Sequence, residues 1–319
     1  NIFFFQAFKI PSSSMESSLF TGDHLFVSKL TFGPKVPQTP LSVPFTHNVI
    51  FGKESYSTLI QNDYHRLRGL RNVRRGDYVV FNFPDGDTVL SRFPSEDYHT
   101  WVRRAGKDFA LANGGPIKVR PVDKKDHYVK RCVALPGDSL SVIDGLVYTN
   151  GVKQEVYPGI QLSYTVVTTG GRLNSRTLEK MGLNLEELYF DGSLPGYPAM
   201  PLTQGMLEEV GKISSIVSVE PNLDVYPPDF PDSYLSLFPF TENTGWTRDY
   251  YGPIWVPKKG ASVDLTVENL PLYERIISAY EGHGLRTTAD GKIFIDGKEV
   301  SSYTFEMDYY FMMGDNRHN

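Results

Sequence analysis

Short apolar segments follow Gly-Asp pairs at three places along the chain. The pairs lie at 22–23, 76–77 and 137–138, and each precedes residues of high β propensity, such as Tyr-Val-Val-Phe at 78–81. Glycine reaches positive φ without steric cost and aspartate hydrogen bonds back to the backbone, so each pair favours a tight turn into a strand. This spacing predicts a mainly β protein built on a coiled, mostly antiparallel sheet of short strands.

Two further segments predict hairpins. Residues 144–151 and 290–297 both begin with Asp-Gly, continue with a β-prone run and end with a second pair, Asn-Gly or Asp-Gly. Such pairs favour the two-residue turns that join antiparallel strands. The two segments resemble each other and flank a long middle region of different character.

The middle region alternates short helical segments with irregular ones. Its residues predict helices at 176–181, 204–210 and 272–280, and residues 225–231 are rich in proline and aromatic side chains. We interpret this region as an α+β cap inserted into the β core.

The domain organisation follows from these segments. Residues 1–143 are predicted to form the first part of the core, 144–300 the inserted cap, and 301–319 a return to the core. Within the first part, residues 34–44 predict a loop and 54–71 a short helix.

Composition narrows the class of protein. The 319 residues are 40% hydrophobic and 22% charged, which indicates a globular chain with a sizeable core. The net charge of -5 offers no electrostatic basis for binding nucleic acid. Apolar runs are far shorter than the roughly 20 residues that span a membrane as a helix. The single cysteine, Cys132, excludes an intrachain disulfide and is expected to be a small buried side chain.

Two residues suggest hydrolytic chemistry. Ser14 lies in a polar turn after an apolar run, and Lys130 lies between Val129 and Cys132 on a predicted strand. A serine hydroxyl is a weak nucleophile unless a base removes its proton. A lysine serves as that base only if burial lowers its pKa from about 10.4 toward neutrality. The pair therefore suggests a Ser-Lys hydrolase, a variant of the serine triad.

The neighbourhood of Ser14 contains candidates for the other parts of such a site. The hydroxyl group of Ser12 and the backbone N–H of Ser14 are plausible donors to an oxyanion. The apolar residues that are candidates for lining a substrate groove are Phe8, Ile10, Met15 and Leu19.

Each of these residues also has a simpler interpretation. A run of serines is usually a solvated loop, a lysine on a strand usually extends its amine to water, and Arg131 is more often an ion-pair partner than a catalytic group. The seven histidines show no metal-ligand spacing. The Gly-Gly pairs at 114–115 and 170–171 lack the pattern of a phosphate-binding loop and are interpreted as turns.

Five blocks in a fixed order favour the hydrolytic interpretation. They are Pro-Ser-Ser-Ser-Met at 11–15, Gly-Asp at 22–23, Arg-Gly-Asp-Tyr-Val-Val-Phe at 75–81, Tyr-Val-Lys-Arg at 128–131 with Leu-Pro-Gly-Asp at 135–138, and Phe-Met-Met-Gly-Asp-Asn-Arg at 311–317. In this order the sequence resembles the bacterial type I signal peptidases, also called leader peptidases. The long middle region resembles the enlarged cap of members with large insertions.

The resemblance implies a serine endopeptidase that removes signal peptides from exported preproteins, without a metal or cofactor. It acts at the membrane surface, on the outer face of the bacterial cytoplasmic membrane. Ser14 would be the nucleophile, Lys130 the general base, and Ser12 with the Ser14 N–H the oxyanion hole. The residues expected to contact substrate are Phe8, Ile10, Pro11, Met15, Leu19, Tyr128 and Val129. Those expected to support the site are Arg131, Gly314, Asp315, Asn316 and Arg317.

The sequence departs from the family pattern in three places. Ser13 replaces a usual glycine, and residues 17–18 are Ser-Ser where the family has Pro-Thr. The sequence also ends at Asn319, before a serine and an acidic residue of the family pattern, and it lacks the family's N-terminal membrane helices. We therefore expect this stretch by itself to be an impaired peptidase. The alternative is a non-catalytic, extracytoplasmic β-rich module that binds peptides and carries a degenerate Ser-Lys site.

Overall fold

The computed structural model describes residues 4–43, 49–50, 53–84, 88–193, 195–225, 237–240 and 244–319. It confirms the predicted fold class, because the chain is mainly β and its paired strands are antiparallel. The chain divides into two compact units. Unit 1 comprises residues 1–10, 22–73 and 78–130, and unit 2 comprises residues 11–21, 74–77 and 131–319.

The described part of unit 1 contains short strands, two α-helices and a 3-10 turn at Val122–Lys124. Its elements are β1 (Phe5–Lys9), β2 (His24–Ser28), β3 (Val49–Ile50), β4 (Lys53–Glu54), β5 (Tyr78–Asn82), β6 (Thr88–Leu90), β7 (Phe93–Asp97), α1 (Tyr98–Ala105), α2 (Lys107–Gly114), β8 (Ile117–Val119) and the first half of β9 (His127–Ala134). Strands β1 and β2 form a hairpin in which Phe5 pairs with Ser28 and Lys9 with His24. Strand β6 lies between β7 and β8.

The helix predicted at 54–71 is wrong. After β4 this stretch is irregular, and it runs beside the predicted loop at 34–43. Isolated bridges join Lys35 to Arg66 and Ser42 to Tyr56. These backbone pairings with a distant segment satisfy the polar groups that a helix would have satisfied locally.

Unit 2 contains the second half of β9 and most of the other elements. They are β10 (Ser139–Ile143), β11 (Leu146–Thr149), β12 (Val152–Lys153), β13 (Leu162–Thr168), α3 (Ser175–Lys180), β14 (Gly196–Leu202), α4 (Gln204–Val210), β15 (Ile216–Pro221), β16 (Tyr251–Trp255), β17 (Ser262–Asp264), α5 (Leu270–Arg275), β18 (Leu285–Thr287), β19 (Ile293–Ile295), β20 (Lys298–Val300), β21 (Ser302–Thr304) and β22 (Phe311–Met313). A π-helical turn, Ile276–Tyr280, extends α5, and 3-10 turns occur at Ser13–Met15 and Leu185–Glu187.

The apolar side chains of unit 2 form three buried clusters. One cluster lies on β9, β10, β11 and β16, where alternate residues such as Leu140 and Val142 point inward. A second, which we call the β13–β15 core, lies among β13, β14, β15, α3 and α4. The third lies around α5 and β19.

The local predictions for the middle region are confirmed. Helices α3, α4 and α5 with its π turn occupy the three predicted positions. The pairs Asp144-Gly145, Asn150-Gly151 and Asp296-Gly297 have positive φ at both residues, as the predicted two-residue turns require. The proline-rich stretch at 225–231 lies outside the described residues from position 226 onward, and the domain boundaries stay predictions. None of the helices in the described part of the chain has the length and apolar character needed to cross a membrane.

Candidate functional site

The candidate nucleophile lies in a single turn of 3-10 helix. The turn Ser13–Met15 is closed by a hydrogen bond of 2.8 Å from the Glu16 N–H to the Ser13 carbonyl. Met15 is only 1% exposed, whereas Ser14 is partly exposed. One buried apolar side chain therefore anchors the turn, and the serine before it faces solvent in part.

Ser12 places a second hydroxyl group beside Ser14. Ser12 precedes the 3-10 turn in an extended conformation, with φ -138° and ψ 158°. Its Oγ lies 3.4 Å from the Oγ of Ser14, near the upper limit of hydrogen-bond distance. The two hydroxyl groups that sequence reasoning assigned to one reaction centre are therefore neighbours.

Residues 314–316 contact the Ser13–Met15 turn that carries the candidate nucleophile. The Asn316 N–H donates to the Ser14 carbonyl at 3.2 Å, and Asn316 Nδ2 donates to the Ser13 carbonyl at 3.3 Å. Gly314 lies so close that a Cβ there would be 2.5 Å from the Ser14 carbonyl oxygen. The approach of the two segments therefore requires glycine at position 314.

Asp315, in the middle of this segment, forms a buried ion pair with Arg131. Arg131 donates from Nε to Asp315 Oδ1 at 2.7 Å and from Nη2 to Oδ2 at 2.6 Å. The Arg131 side chain is 5% exposed and that of Asp315 is 0% exposed. Arg131 also donates from Nη1 to the Gly76 carbonyl, and its guanidinium lies 4.1 Å from the ring centroid of Tyr157. These contacts satisfy both charges, as burial requires.

Ser18 connects the serine-rich segment to the same ion pair. Its hydroxyl group donates to Asp315 Oδ2 at 2.5 Å. A Cβ at Gly159 would lie 2.1 Å from the Ser18 Oγ, so the backbone passes close to this hydroxyl. Ser18 is thus part of the support for the nucleophile turn.

Arg317 completes the supporting segment. Its N–H donates to the Gln161 carbonyl at 3.1 Å, and its Nη1 lies 3.6 Å from the sulfur of Met313. Burial lowers the pKa of the Arg317 guanidinium to about 10, opposed by the charge of Asp315. Arg317 therefore remains a cation at neutral pH.

The candidate base lies on β9, in unit 1. Lys130 and Val129 are partly buried, and Tyr128 is 40% exposed. The Tyr128 ring contacts Phe83, with ring centroids 4.5 Å apart, and the Phe8 ring contacts His127 at 5.0 Å. Aromatic side chains thus contact His127 and Tyr128, on the strand that carries the lysine.

The predicted site residues fall into both units. Unit 2 holds Pro11, Ser12, Ser14, Met15, Leu19, Arg131, Gly314, Asp315, Asn316 and Arg317. Unit 1 holds Phe8, Ile10, Tyr128, Val129 and Lys130. Of the residues expected to contact substrate, Ile10 and Met15 are buried, at 4% and 1% exposure. The others are at least partly exposed.

One cluster of side chains combines the ligand types of a cation site. Within the described ranges, one group of side chains, Asp224, Asp249 and His318, places ligand-type atoms within 4.8 Å of one another. Arg248 forms an ion pair with Asp224 at 2.5 Å, and His318 Nε2 lies 2.9 Å from Asp249 Oδ1. Because these groups pair with one another and with a guanidinium, we assign the cluster no metal.

Sequence reasoning missed several residues that contact the predicted site residues. Among them are Ser18, Tyr157, Gln161 and Glu187. Ser18 could have been found, because it belongs to the same polar run as Ser14. The other three lie at least 139 residues beyond Ser18, and no motif marks them.

The described elements define a mainly β protein with several antiparallel sheets. Residues 1–177 match the protein family described as "Signal peptidase, peptidase S26", which is more than half of the chain. The chain therefore belongs to the signal peptidase family, peptidase S26, a family of serine peptidases.

Individual relatives agree with this assignment. Proteins named Signal peptidase I from two strains of Helicobacter pylori, 26695 and J99, are 29% identical over 141 residues. The match covers 44% of this chain and 32% of each relative, so the chain spans about a third of their length. No solved structure matches the chain.

Proposed function

We propose that this chain removes signal peptides from exported preproteins, using Ser14 as the nucleophile and Lys130 as the general base. The observation that supports the proposal is the arrangement of the turn around Ser14. The Ser12 hydroxyl lies 3.4 Å from the Ser14 hydroxyl, and Asn316 donates hydrogen bonds to the carbonyl groups of Ser13 and Ser14. Both occur in a chain of the S26 family.

The proposed chemistry assigns each group one task. Neutral Lys130 takes the proton of Ser14, whose oxygen attacks the scissile carbonyl and forms an acyl-enzyme as the peptide C–N bond breaks. The lysine then gives that proton to the leaving amine. A water molecule then gives a proton to the neutral amine of Lys130 and its oxygen attacks the ester, and Lys130 returns that proton to Ser14 Oγ as the acyl group leaves. The Ser12 hydroxyl and the Ser14 N–H donate to the oxyanion, and removal of one such donor typically costs about 2.7–4 kcal/mol.

The membrane surface is the proposed place of action, on the outer face of the cytoplasmic membrane. The β1–β2 hairpin supports this, because Phe5 is 51% exposed and Phe26 is 83% exposed. Exposed aromatic side chains favour the boundary between lipid and water. An anchored substrate would then meet the peptidase at the surface where its signal peptide lies.

The test compares Ser14→Ala and Lys130→Ala with matched controls, all made in the full-length protein. Ser17→Ala is the control for Ser14→Ala, because the buried Ser17 Oγ has no hydrogen-bond partner among the described residues. Lys212→Ala serves for the lysine, because Lys212 is exposed. We expect cleavage of an Ala-x-Ala signal-peptide substrate, followed by mass spectrometry, to be lost in both site variants and kept in both controls.

The outcomes separate the two candidate functions. Cleavage retained in either site variant contradicts the dyad. Peptide binding without cleavage by the unsubstituted protein favours the non-catalytic binding module instead.

The pH profile adds a check, because activity should rise with pH as Lys130 deprotonates, with a midpoint well below about 10.4. A profile that follows an ordinary lysine contradicts a desolvated base.

A further inference from the structure

Glu187, in the middle region of the chain, contacts the segment that holds the nucleophile turn. Its Oε2 accepts a hydrogen bond from Asn316 Nδ2 at 3.1 Å, and its Oε1 accepts one from Asn319 Nδ2 at 3.3 Å. Hydrogen bonds to a carboxylate are stronger than those between neutral groups. The carboxylate therefore orients two side-chain amides at once.

The same two amides contact the nucleophile turn. Asn316 Nδ2 donates to the Ser13 carbonyl at 3.3 Å, and Asn319 Nδ2 donates to Ser13 Oγ at 2.8 Å. A side-chain amide has two N–H groups, so each asparagine can bind Glu187 and Ser13 together. A continuous path of hydrogen bonds thus joins Glu187 to the residue beside Ser14.

The 3-10 turn that carries Glu187 is itself held in place by a cap and by packing. The 3-10 turn Leu185–Glu187 begins after Asn184, whose side chain accepts from the Glu186 N–H at 3.1 Å. Leu185 and Leu188 pack against the β13–β15 core on either side of Glu187. The carboxylate position is therefore set by the packing of the middle region and not by the nucleophile turn.

The backbone of the supporting segment has its own attachment to the middle region. Gln161 donates from its N–H to the Asp315 carbonyl at 2.9 Å and accepts from the Arg317 N–H at 3.1 Å. It is 1% exposed. Because these bonds hold the backbone, Glu187 is left to orient the Asn316 and Asn319 side chains.

We propose that Glu187 is a positioning residue for the catalytic serine, through which the middle region controls the geometry of the Ser12–Ser14 turn. The proposal rests on the proposed peptidase function. Glu187 acts through the asparagine side chains, which bond Ser13, and has no task in binding the peptide. Its loss therefore lowers kcat and leaves KM nearly unchanged.

The kinetic test uses Glu187→Ala, with Glu186→Ala as the matched control on the same turn. Glu186 is exposed, and its contribution to the turn is a backbone N–H that the substitution keeps. We expect Glu187→Ala to lower kcat about tenfold, because misplacement of a reacting group by about 1 Å can cost on the order of 100-fold. Glu187→Gln keeps one acceptor oxygen and turns an N–H donor toward the other asparagine amide, so it should recover part of the loss and not all of it.

A second measurement does not depend on activity. Hydrogen exchange in residues 11–21 reports the closure of the turn, whose Glu16 and Leu19 N–H groups are bonded at 2.8 Å each. We expect faster exchange in Glu187→Ala than in Glu186→Ala, with an unchanged melting temperature.

The outcomes distinguish this inference from the proposed function. Absence of cleavage by the unsubstituted full-length protein contradicts the peptidase proposal, and the exchange comparison then decides the role of Glu187 alone. Equal exchange in the two variants overturns the inference. So does a loss of activity that falls on KM, or one that Glu187→Gln does not relieve.

Discussion

The ion pair between Arg131 and Asp315 should be the largest single polar contribution to the stability of the supporting segment. Asp315→Asn tests this, because it keeps the shape of the side chain and removes the charge. The buried guanidinium then faces an amide where it had two carboxylate oxygens at 2.7 and 2.6 Å. Ser18 loses its charged acceptor in the same substitution.

The magnitude follows from burial. Removal of one partner from a buried ion pair costs about 3–5 kcal/mol, since the other charge is left unpaired. Arg131 keeps the Gly76 carbonyl and the Tyr157 ring, which places the expected cost at the lower end, about 3 kcal/mol. For a chain of this size, each kcal/mol lowers the melting temperature by about 2–4 °C, so we expect a decrease of about 6–12 °C.

Thermal unfolding followed by circular dichroism measures this decrease. Asp224→Asn is the control, because it breaks a pair in which the Arg248 side chain is 43% exposed. Such a surface pair contributes about 0–1 kcal/mol. The double variant Arg131→Met, Asp315→Leu removes both charges and should recover much of the stability.

Two results would refute the reasoning. One is a decrease for Asp315→Asn no larger than that of the Asp224 control. The other is a double variant less stable than Asp315→Asn, because the cost could not then come from an unpaired buried charge.

Three further predictions follow from single contacts. Gly314→Ala should lower kcat at least tenfold in the cleavage assay, because its Cβ would meet a carbonyl oxygen at 2.5 Å, whereas Gly192→Ala, with open space around it, should have no effect. Burial raises the pKa of the Cys132 thiol to about 11, so an alkylating reagent at pH 8 should label the unfolded protein and not the folded one. The hydrogen bond to Asp296 raises the pKa of His283 above 6.5, so its contribution to stability is complete below pH 6.5 and is lost as the pH rises through the raised pKa. Melting temperatures across that range should change less in His283→Gln, and an equal change in both proteins contradicts this assignment.

Local patterns predicted the elements that depend on neighbouring residues. Helix α4 begins and ends where the sequence placed it, at Gln204 and Val210, and the Asp-Gly and Asn-Gly pairs form the predicted turns. These features follow from φ preferences and local hydrogen bonds, which a short window of sequence contains. The helix predicted at 54–71 is wrong for the opposite reason, because its backbone pairs with residues 34–43.

In the candidate site, too, the sequence predicted local features and missed contacts between distant segments. A polar turn at Ser12–Ser14 and a strand carrying Lys130 were readable from the sequence, because residue type and order identify them. Contacts between distant segments could not be predicted from the sequence. Only the folded chain brings Ser18 to Asp315, the Tyr157 ring to Arg131 and Glu187 to Asn316.

The amino-acid sequence by itself determined the fold class, the turns, the helices of the middle region and the family-like blocks, all of which rest on local conformational preference or residue order. The tertiary structure decided what holds the Ser14 turn. Its supports are a glycine contact, a buried ion pair and a carboxylate from residue 187. Their energies depend on burial and on distances between segments far apart in the chain, and these quantities exist only once the chain has packed.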